Sequence, residues 1–150
     1  MGVINIQIIK DSPILKELPP YATTGSAAVD LFACIYEPIT LQAGNTVKIS
    51  SGIRIHIDDP TYVAIVVPRS GLGSKHGIIL SNTVGVIDSD YTGVIGLTLW
   101  NRSNVDYVIN PLDRVAQLMV VPVMRACWVE VDEFSNRTER GDGGFGSTGR

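Results

Sequence analysis

Short runs rich in Val and Ile recur along the chain, with turn residues between them. Such β-branched runs are typical of strands. The clearest runs are Val3 to Ile9, Thr46 to Ser50, Ile53 to Ile57, Tyr62 to Val67, Val105 to Ile109 and Arg114 to Val123. Only Ser70 to His76 is predicted to form a helix, and its two glycines limit this helix to one or two turns. The pattern predicts an all-β jelly roll or distorted barrel, with a sandwich of another topology as the alternative.

The length of the chain limits the number of domains. With 150 residues and 45% hydrophobic content, it can bury one sizeable core. From residue 135 onward the sequence is polar and rich in glycine, and Phe145 is its single large apolar side chain. We therefore predict a β-barrel domain over residues 1–134 and a flexible, glycine-rich C-terminal arm over residues 135–150.

Charge and targeting signals narrow the possible partners. The formal net charge of −3 argues against nucleic acid as the main partner, because binding to a phosphate backbone normally needs a basic face. The N-terminus does not resemble a secretory signal, and no apolar run approaches membrane-spanning length. We expect a cytoplasmic protein with no membrane partner. Cys34 and Cys127 lack metal-site or redox spacing and are predicted to be two buried thiols.

Two carboxylates and an aromatic ring lie in the segment Gly85 to Gly93, between two apolar runs. Ser81 to Val84 and Val94 to Trp100 are predicted as the two strands of a hairpin that carries this segment at its tip. Asp88 directly follows two apolar residues, which suggests a carboxylate held at the edge of the core, whereas Asp90 suits the tip. A fixed carboxylate beside a phosphate site can orient and deprotonate an attacking water, so Asp88 is the candidate general base. The alternative is a solvated turn.

Two further segments suit phosphate binding. Pro68 to Gly73 follows a strand and presents backbone N–H groups, the Ser70 hydroxyl and the Arg69 guanidinium together. The arm supplies Arg140 with the hydroxyls of Ser147 and Thr148 on a permissive backbone that could close over a ligand. A surface turn with an exposed arginine remains the alternative for Pro68 to Gly73.

Three residues are candidates for binding a base and a sugar. The side-chain amide of Asn82 offers a donor and an acceptor that match the N3–H and O4 edge of uracil. Tyr91 could pack flat against a sugar and disfavour a 2′-hydroxyl. Phe145 could stack on a base. Each has a structural alternative: a turn former, a cross-strand aromatic and a docking anchor, respectively.

Together these segments resemble the homotrimeric dUTPases, which are deoxyuridine triphosphate nucleotidohydrolases with five ordered motifs. The resemblance spans nearly the whole chain. The five corresponding segments are Ala27 to Leu31, Pro68 to Gly73, Gly85 to Gly93, Asp113 to Leu118 and Arg140 to Gly149.

The resemblance implies hydrolysis of dUTP to dUMP and pyrophosphate, with Asp88 activating the water that attacks the α-phosphorus. This activity would limit uracil incorporation into DNA and supply dUMP for dTMP synthesis. The resemblance also implies a role for each of the other site residues. Base and sugar would contact Asn82, Val86, Ile87, Tyr91, Gly96 and Phe145, and the phosphates would contact Arg69, Ser70, Gly71, Gln117, Arg140, Ser147 and Thr148.

The resemblance further implies Mg²⁺ as cofactor, bound mainly by the phosphates and water, with Asp30 contacting it only through water. It implies a jelly-roll homotrimer whose sites combine residues of several subunits. The sequence departs from the family pattern at Ala28 and Leu112, where glycine is usual, and at Gly96, where a larger side chain is usual. The competing functions are a related dCTP deaminase, including the bifunctional form, and a non-catalytic trimeric nucleotide-binding module.

Overall fold

β-strands make up most of the regular structure in the computed structural model, which describes residues 2–144. One short helix, α1 (Ser70–His76), lies between the fifth and sixth strands. The strands are β1 (Gln7–Lys10), β2 (Val29–Phe32), β3 (Ile39–Leu41), β4 (Thr46–His56), β5 (Tyr62–Pro68), β6 (Ile78–Leu80), β7 (Gly85–Ile87), β8 (Val94–Asn101), β9 (Tyr107–Ile109) and β10 (Arg114–Pro122). The all-β prediction is confirmed, and no helix in residues 2–144 is long and apolar enough to cross a membrane.

The strands form two four-stranded antiparallel sheets and one two-stranded sheet. The first sheet has the order β1-β4-β8-β6, and the second has the order β2-β10-β5-β7. Strands β3 and β9 form the small sheet. Neighbouring strands are mostly distant in the sequence, so the two larger sheets are tied together by chain crossings rather than by simple hairpins.

The core is a single cluster of buried apolar side chains contributed by both large sheets. In β8, Ile95, Leu97 and Leu99 are fully buried and alternate with more exposed residues, as the two-residue period of a strand requires. Ala64 and Ala116 contribute from the second sheet. The more exposed positions that alternate with these buried residues face away from the core, where they can contact a ligand.

Most of the longer predicted elements are confirmed. The predicted runs at Tyr62 and at Arg114 correspond to β5 and β10, and the predicted helix matches α1. The runs predicted at Thr46 to Ser50 and Ile53 to Ile57 are one strand, β4. Gly52 lies in the middle of β4 with φ of +73°, where the register against β8 shifts, so a bulge replaces the expected break.

Short strands account for most of the differences from the prediction. The strands β2, β3 and β6 were not predicted, because three or four residues carry too little periodicity to identify a strand. Residues Ser81 to Val84, predicted as a strand, form a turn instead, and the strand begins at Gly85.

The last strand ends at Pro122, and residues 123–144 form neither helix nor strand. Cys127 lies in this segment and is exposed, so the prediction of two buried thiols is wrong for it. Cys34 is buried as predicted, and its burial raises the pKa of the thiol. The boundary between barrel and arm at residue 134 stays a prediction.

Candidate functional site

The acidic segment lies where the chain crosses from one large sheet to the other and back. Strand β7 pairs with β5 in the second sheet, whereas β6 and β8 on either side of it pair with each other in the first. The predicted hairpin is therefore wrong, because Ser81 to Val84 form a turn and the strand before it that pairs with β8 is β6. Turn-forming residues indicate that the chain reverses direction, but they do not identify the strand with which it then pairs. The partner of β7 is about twenty residues away in the sequence.

The separation of β7 from β8 leaves a slot between the edges of the two sheets. The inner part is a cavity of about 150 Å³ that reaches the Asn82 side of the crossing. The outer part, of about 310 Å³, is lined by Asp88 and Tyr91. The two parts share Val86, Ile87 and Gly96 as lining residues. The structure thus brings together every predicted base and sugar residue within residues 2–144.

Tyr91 is held in place by two contacts. Its hydroxyl donates a hydrogen bond of 3.0 Å to the carbonyl oxygen of Val94. Its ring lies directly over Gly93, where a Cβ atom would come within 2.5 Å of the phenol oxygen. Any side chain at position 93 would therefore displace the ring from the slot.

Asp88 follows the last residue of β7, and its carboxylate is exposed on the outer part of the slot. The backbone around it is fixed, because the Tyr91 N–H donates to the Asp88 carbonyl at 3.1 Å. The Ile57 N–H also donates to the Ser89 carbonyl at 3.3 Å, which ties the loop to the end of β4. The carboxylate is solvated at a defined position rather than embedded in the core.

A second cavity, of about 580 Å³, contains the residues predicted to bind the α- and β-phosphates. Arg69, Ser70 and Gly71 reach it because β5 ends at Pro68 and α1 begins two residues later. The N–H groups in the first turn of a helix have no intrahelical partner and face outward. Gln117 enters from β10, and Asp30 enters from β2, which pairs with β10.

Asp30 joins two arginines in this cavity. Its Oδ1 accepts a hydrogen bond of 2.8 Å from Nε of Arg69, and its Oδ2 accepts one of 3.3 Å from Nη1 of Arg114. Arg69 Nη1 also donates to the Arg114 carbonyl at 3.1 Å. The carboxylate is largely shielded, with 21% of its side chain exposed, so it fixes the direction of the Arg69 guanidinium.

Sequence reasoning missed several residues that line this second cavity. Lys75 and His76 reach it from the last turn of α1, and Tyr107 reaches it from β9. Burial and the nearby Asp113 carboxylate raise the pKa of Tyr107, while Arg69 opposes the shift, so the phenol stays neutral near pH 7. The sequence feature that could have identified Lys75 and His76 is their position on the predicted helix, which begins within the predicted phosphate-binding segment.

The arm residues are not assembled with the rest of the site. The Nε atom of Arg140 donates a hydrogen bond of 2.9 Å to the Gly143 carbonyl, and Arg140 lines neither the slot nor the phosphate cavity. Phe145, Ser147 and Thr148 lie outside the described residues. None of the residues that the structure describes lines both the slot and the phosphate cavity.

A family model described as dUTPase matches residues 15–149 of the chain. The chain belongs to the dUTPase family. A "deoxyuridine 5'-triphosphate nucleotidohydrolase" of Burkholderia lata is 54% identical over 142 residues, which is 95% of each protein. A protein of the same name from Paraburkholderia phymatum is 51% identical over 147 residues, which is 98% of each.

Solved structures of dUTPases share this fold. The chain is similar to a mutant dUTPase of Staphylococcus bacteriophage 80alpha with dUpNHpp, at 23% identity and a TM-score of 0.82, over 97% of this chain and 99% of that one. It is also similar to a mutant dUTPase of Staphylococcus aureus phage phi11 whose structure describes the coordination of a structural Mg(II) ion. That likeness has 23% identity and a TM-score of 0.78, over 88% of this chain and 99% of that one.

Proposed function

We propose that the chain hydrolyses dUTP to dUMP and pyrophosphate, with Asp88 as the general base. The observation that carries this proposal is the slot between β7 and β8, where Asp88 and Tyr91 line the outer part and Asn82 lines the inner part. A base held in the inner part would leave its sugar beside Tyr91 and its α-phosphate beside Asp88. Membership of the dUTPase family supports the same substrate.

The reaction uses Asp88 to accept a proton from water as the water oxygen bonds to the α-phosphorus. The bond between the α-phosphorus and the oxygen that bridges to the β-phosphorus breaks, and pyrophosphate leaves. A carboxylate within hydrogen-bond reach of the water can supply this proton transfer. The exposed position of Asp88 at the end of β7 leaves its carboxylate open to that water.

Base selection would take place in the inner part of the slot. Backbone groups of Val86 and Ile87 and the amide of Asn82 supply the polar contacts to uracil. Because this part is only about 150 Å³, a methyl group at C5 of the base has little room. Phe145 covers the base in this proposal, and the ring of Tyr91 packs against the deoxyribose.

The phosphate cavity would hold the α- and β-phosphates through Arg69, Ser70, Gly71 and Gln117. The guanidinium of Arg69 is already aimed by Asp30, so little side-chain freedom is lost on binding. The γ-phosphate would be bound by Arg140, Ser147 and Thr148 of the arm.

The donor set of the chain fits an Mg²⁺ ion that is held mainly by the substrate. Within residues 2–144 no group of three His, Cys, Asp or Glu side chains could form a protein cage for a metal. Both carboxylate oxygens of Asp30 accept from arginines, so this residue would reach the ion only through water. When bound, Mg²⁺ would neutralise charge on the phosphates.

A homotrimer would explain why one chain leaves its site in separate parts. Within residues 2–144 the slot and the phosphate cavity share no lining residue, and Arg140 lines neither of them. Neighbouring copies arranged in a ring could bring a slot, a phosphate cavity and an arm together. We place the enzyme in the cytoplasm, where reducing conditions suit the two free cysteines.

The test is product analysis after the purified protein and Mg²⁺ are incubated separately with dUTP, dCTP, dTTP and UTP. We expect dUMP and pyrophosphate from dUTP alone. Consumption of dCTP would instead indicate a deaminase. If no nucleotide reacts but dUTP binds, the chain is a nucleotide-binding module.

A further inference from the structure

Lys48 lies on β4 beside the slot. In the register between β4 and β8, Lys48 is opposite Thr98, and Gly96 is two residues from Thr98 along the same strand. Because side chains two residues apart lie on one face of a sheet, Lys48 and position 96 share a face. Lys48 also lines the outer part of the slot together with Asp88 and Tyr91.

The stem of Lys48 lies over the space that a side chain at position 96 would occupy. A Cβ atom built on Gly96 would be 3.3 Å from Cε of Lys48, which is a tight contact. In the described part of the chain, no other atom outside the immediate neighbours of Gly96 comes within 4 Å of that position. The absence of a side chain at Gly96 therefore leaves room for the lysine to extend across the slot.

The charge at the end of this stem is not neutralised by the surrounding protein. Within residues 2–144, Lys48 has no carboxylate partner within 4.0 Å and donates no hydrogen bond to a side chain or a carbonyl oxygen. Among the described residues that line the outer part, Lys48 is the only cation and Asp88 the only carboxylate. An unpaired ammonium at the mouth of a slot attracts an anionic ligand.

We propose that Lys48 is a further substrate-binding residue, whose ammonium contacts the phosphate end of the nucleotide. The lysine reaches this position because Gly96 has no side chain to block its stem. This inference rests on the proposed function, because it takes the slot as the site of the nucleotide. The ammonium would attract the phosphates in the ground state and in the transition state alike. Its loss should therefore raise KM more than it lowers kcat.

The first test is Lys48→Met, which keeps most of the apolar stem and removes the charge. At low ionic strength we expect KM for dUTP to rise by about three- to tenfold with kcat within about twofold, and this difference should shrink as salt is added. Lys10→Met is the matched control, because Lys10 lies on β1 of the same sheet, does not line the slot and is also exposed. That control should leave KM unchanged.

The second test measures the role of Gly96. In Gly96→Ala the new methyl group should displace the lysine stem and raise KM, whereas adding this change to Lys48→Met should have little further effect. Such non-additivity shows that position 96 acts through the lysine. Additive effects would overturn the guiding role of Gly96, and an unchanged KM in Lys48→Met at low salt would overturn the proposal as a whole.

A binding measurement keeps these failures distinct from a failure of the proposed function. The affinity of each variant for the α,β-imido analogue of dUTP is measured by calorimetry, which does not depend on turnover. If the unmodified protein fails to hydrolyse dUTP, the proposed function is wrong, whatever the variants do. If it hydrolyses dUTP and Lys48→Met binds the analogue as tightly as the unmodified protein at low salt, only the role of Lys48 is wrong.

Discussion

At the scale of single residues, the proposed chemistry depends on how two carboxylates are held. Asp88 is exposed at the end of a strand, with its backbone fixed by neighbouring N–H groups, and this suits a group that must exchange protons with water. Asp30 is shielded and satisfied by two arginines, and this suits a group that orients others. In the proposed mechanism the same functional group thus has two different roles, set by its surroundings.

The Asp88→Asn variant should lose hydrolysis while it retains nucleotide binding. The amide is nearly the same shape as the carboxylate but cannot accept the proton from water, so we expect kcat to fall by at least about 100-fold. Turnover is measured by release of pyrophosphate, and binding by calorimetry with the imido analogue. Asp90→Asn is the control, since Asp90 lines neither part of the slot, and kcat close to that of the unmodified protein in Asp88→Asn would refute the assignment.

The Asp30→Asn variant tests whether the carboxylate positions Arg69. The amide keeps one oxygen but has no negative charge, and its NH₂ group faces an arginine that previously donated to an oxygen. The Arg69 guanidinium is therefore held less firmly, so kcat/KM should fall by roughly tenfold, equivalent to about 1.4 kcal/mol. Asp11→Asn is the matched control, because it breaks the ion pair of Asp11 with Arg54 at 2.6 Å, which lies away from both cavities. Equal losses of activity in the two variants would mean that Asp30 has only a structural role.

At the scale of elements, the turn before β10 holds a non-glycine residue in a left-handed conformation. The segment from Asn110 to Asp113 leads into β10 and is closed by a hydrogen bond of 3.1 Å from the Asp113 N–H to the Asn110 carbonyl. Pro111 is followed by Leu112 with φ of +63°, the arrangement of a type II turn, in which glycine is preferred at the second central position. This is where the sequence departs from the glycine that the family usually has.

Leu112→Gly should make the protein more stable. It relieves a left-handed conformation that costs an L-residue roughly 1–2 kcal/mol, partly offset by the greater freedom of glycine in the unfolded chain. We expect a net gain of about 0.5–1 kcal/mol in the free energy of unfolding, measured by urea denaturation at one protein concentration. Leu112→Ala keeps the Cβ atom and should bring no comparable gain; equal gains in both variants would show that strain is not the cause.

At the scale of the whole molecule, the proposed site of a single chain lies in separate places. The slot, the phosphate cavity and Arg140 are not joined within residues 2–144. The β-core fixes the slot on one edge and the phosphate cavity on another, while residues 123–144 add no strand to either sheet. Association of three copies is the proposed means of completing the site, and light scattering after size-exclusion chromatography measures it directly.

Deletion of residues 140–150 should separate folding from activity. The described part of this segment, residues 140–144, contributes nothing to the buried core, so the truncated protein should keep its stability and its oligomeric state. Its kcat/KM for dUTP should fall steeply, because the proposed γ-phosphate ligands and Phe145 are removed. Loss of the folded oligomer on truncation would instead show that the arm is structural.

The sequence by itself determined the strand-rich fold, the position of α1 and the residue types of the site. These depend on local chemistry: β-branched runs favour strands, and the five ordered segments carry the family resemblance with Asp88 and Arg69 among them. The short strands β2, β3 and β6 escaped prediction, because so short a pattern is dominated by its tertiary contacts.

Only the tertiary structure decided how these residues are placed. It showed that the chain between β6 and β8 crosses to the second sheet as β7, which pairs with β5, and this crossing leaves an open slot. It also showed that Asp30 aims Arg69 and that Lys48 extends over Gly96. Each of these contacts joins residues about 20 to 50 positions apart, and pairing over such distances is set by packing of the whole core rather than by local sequence.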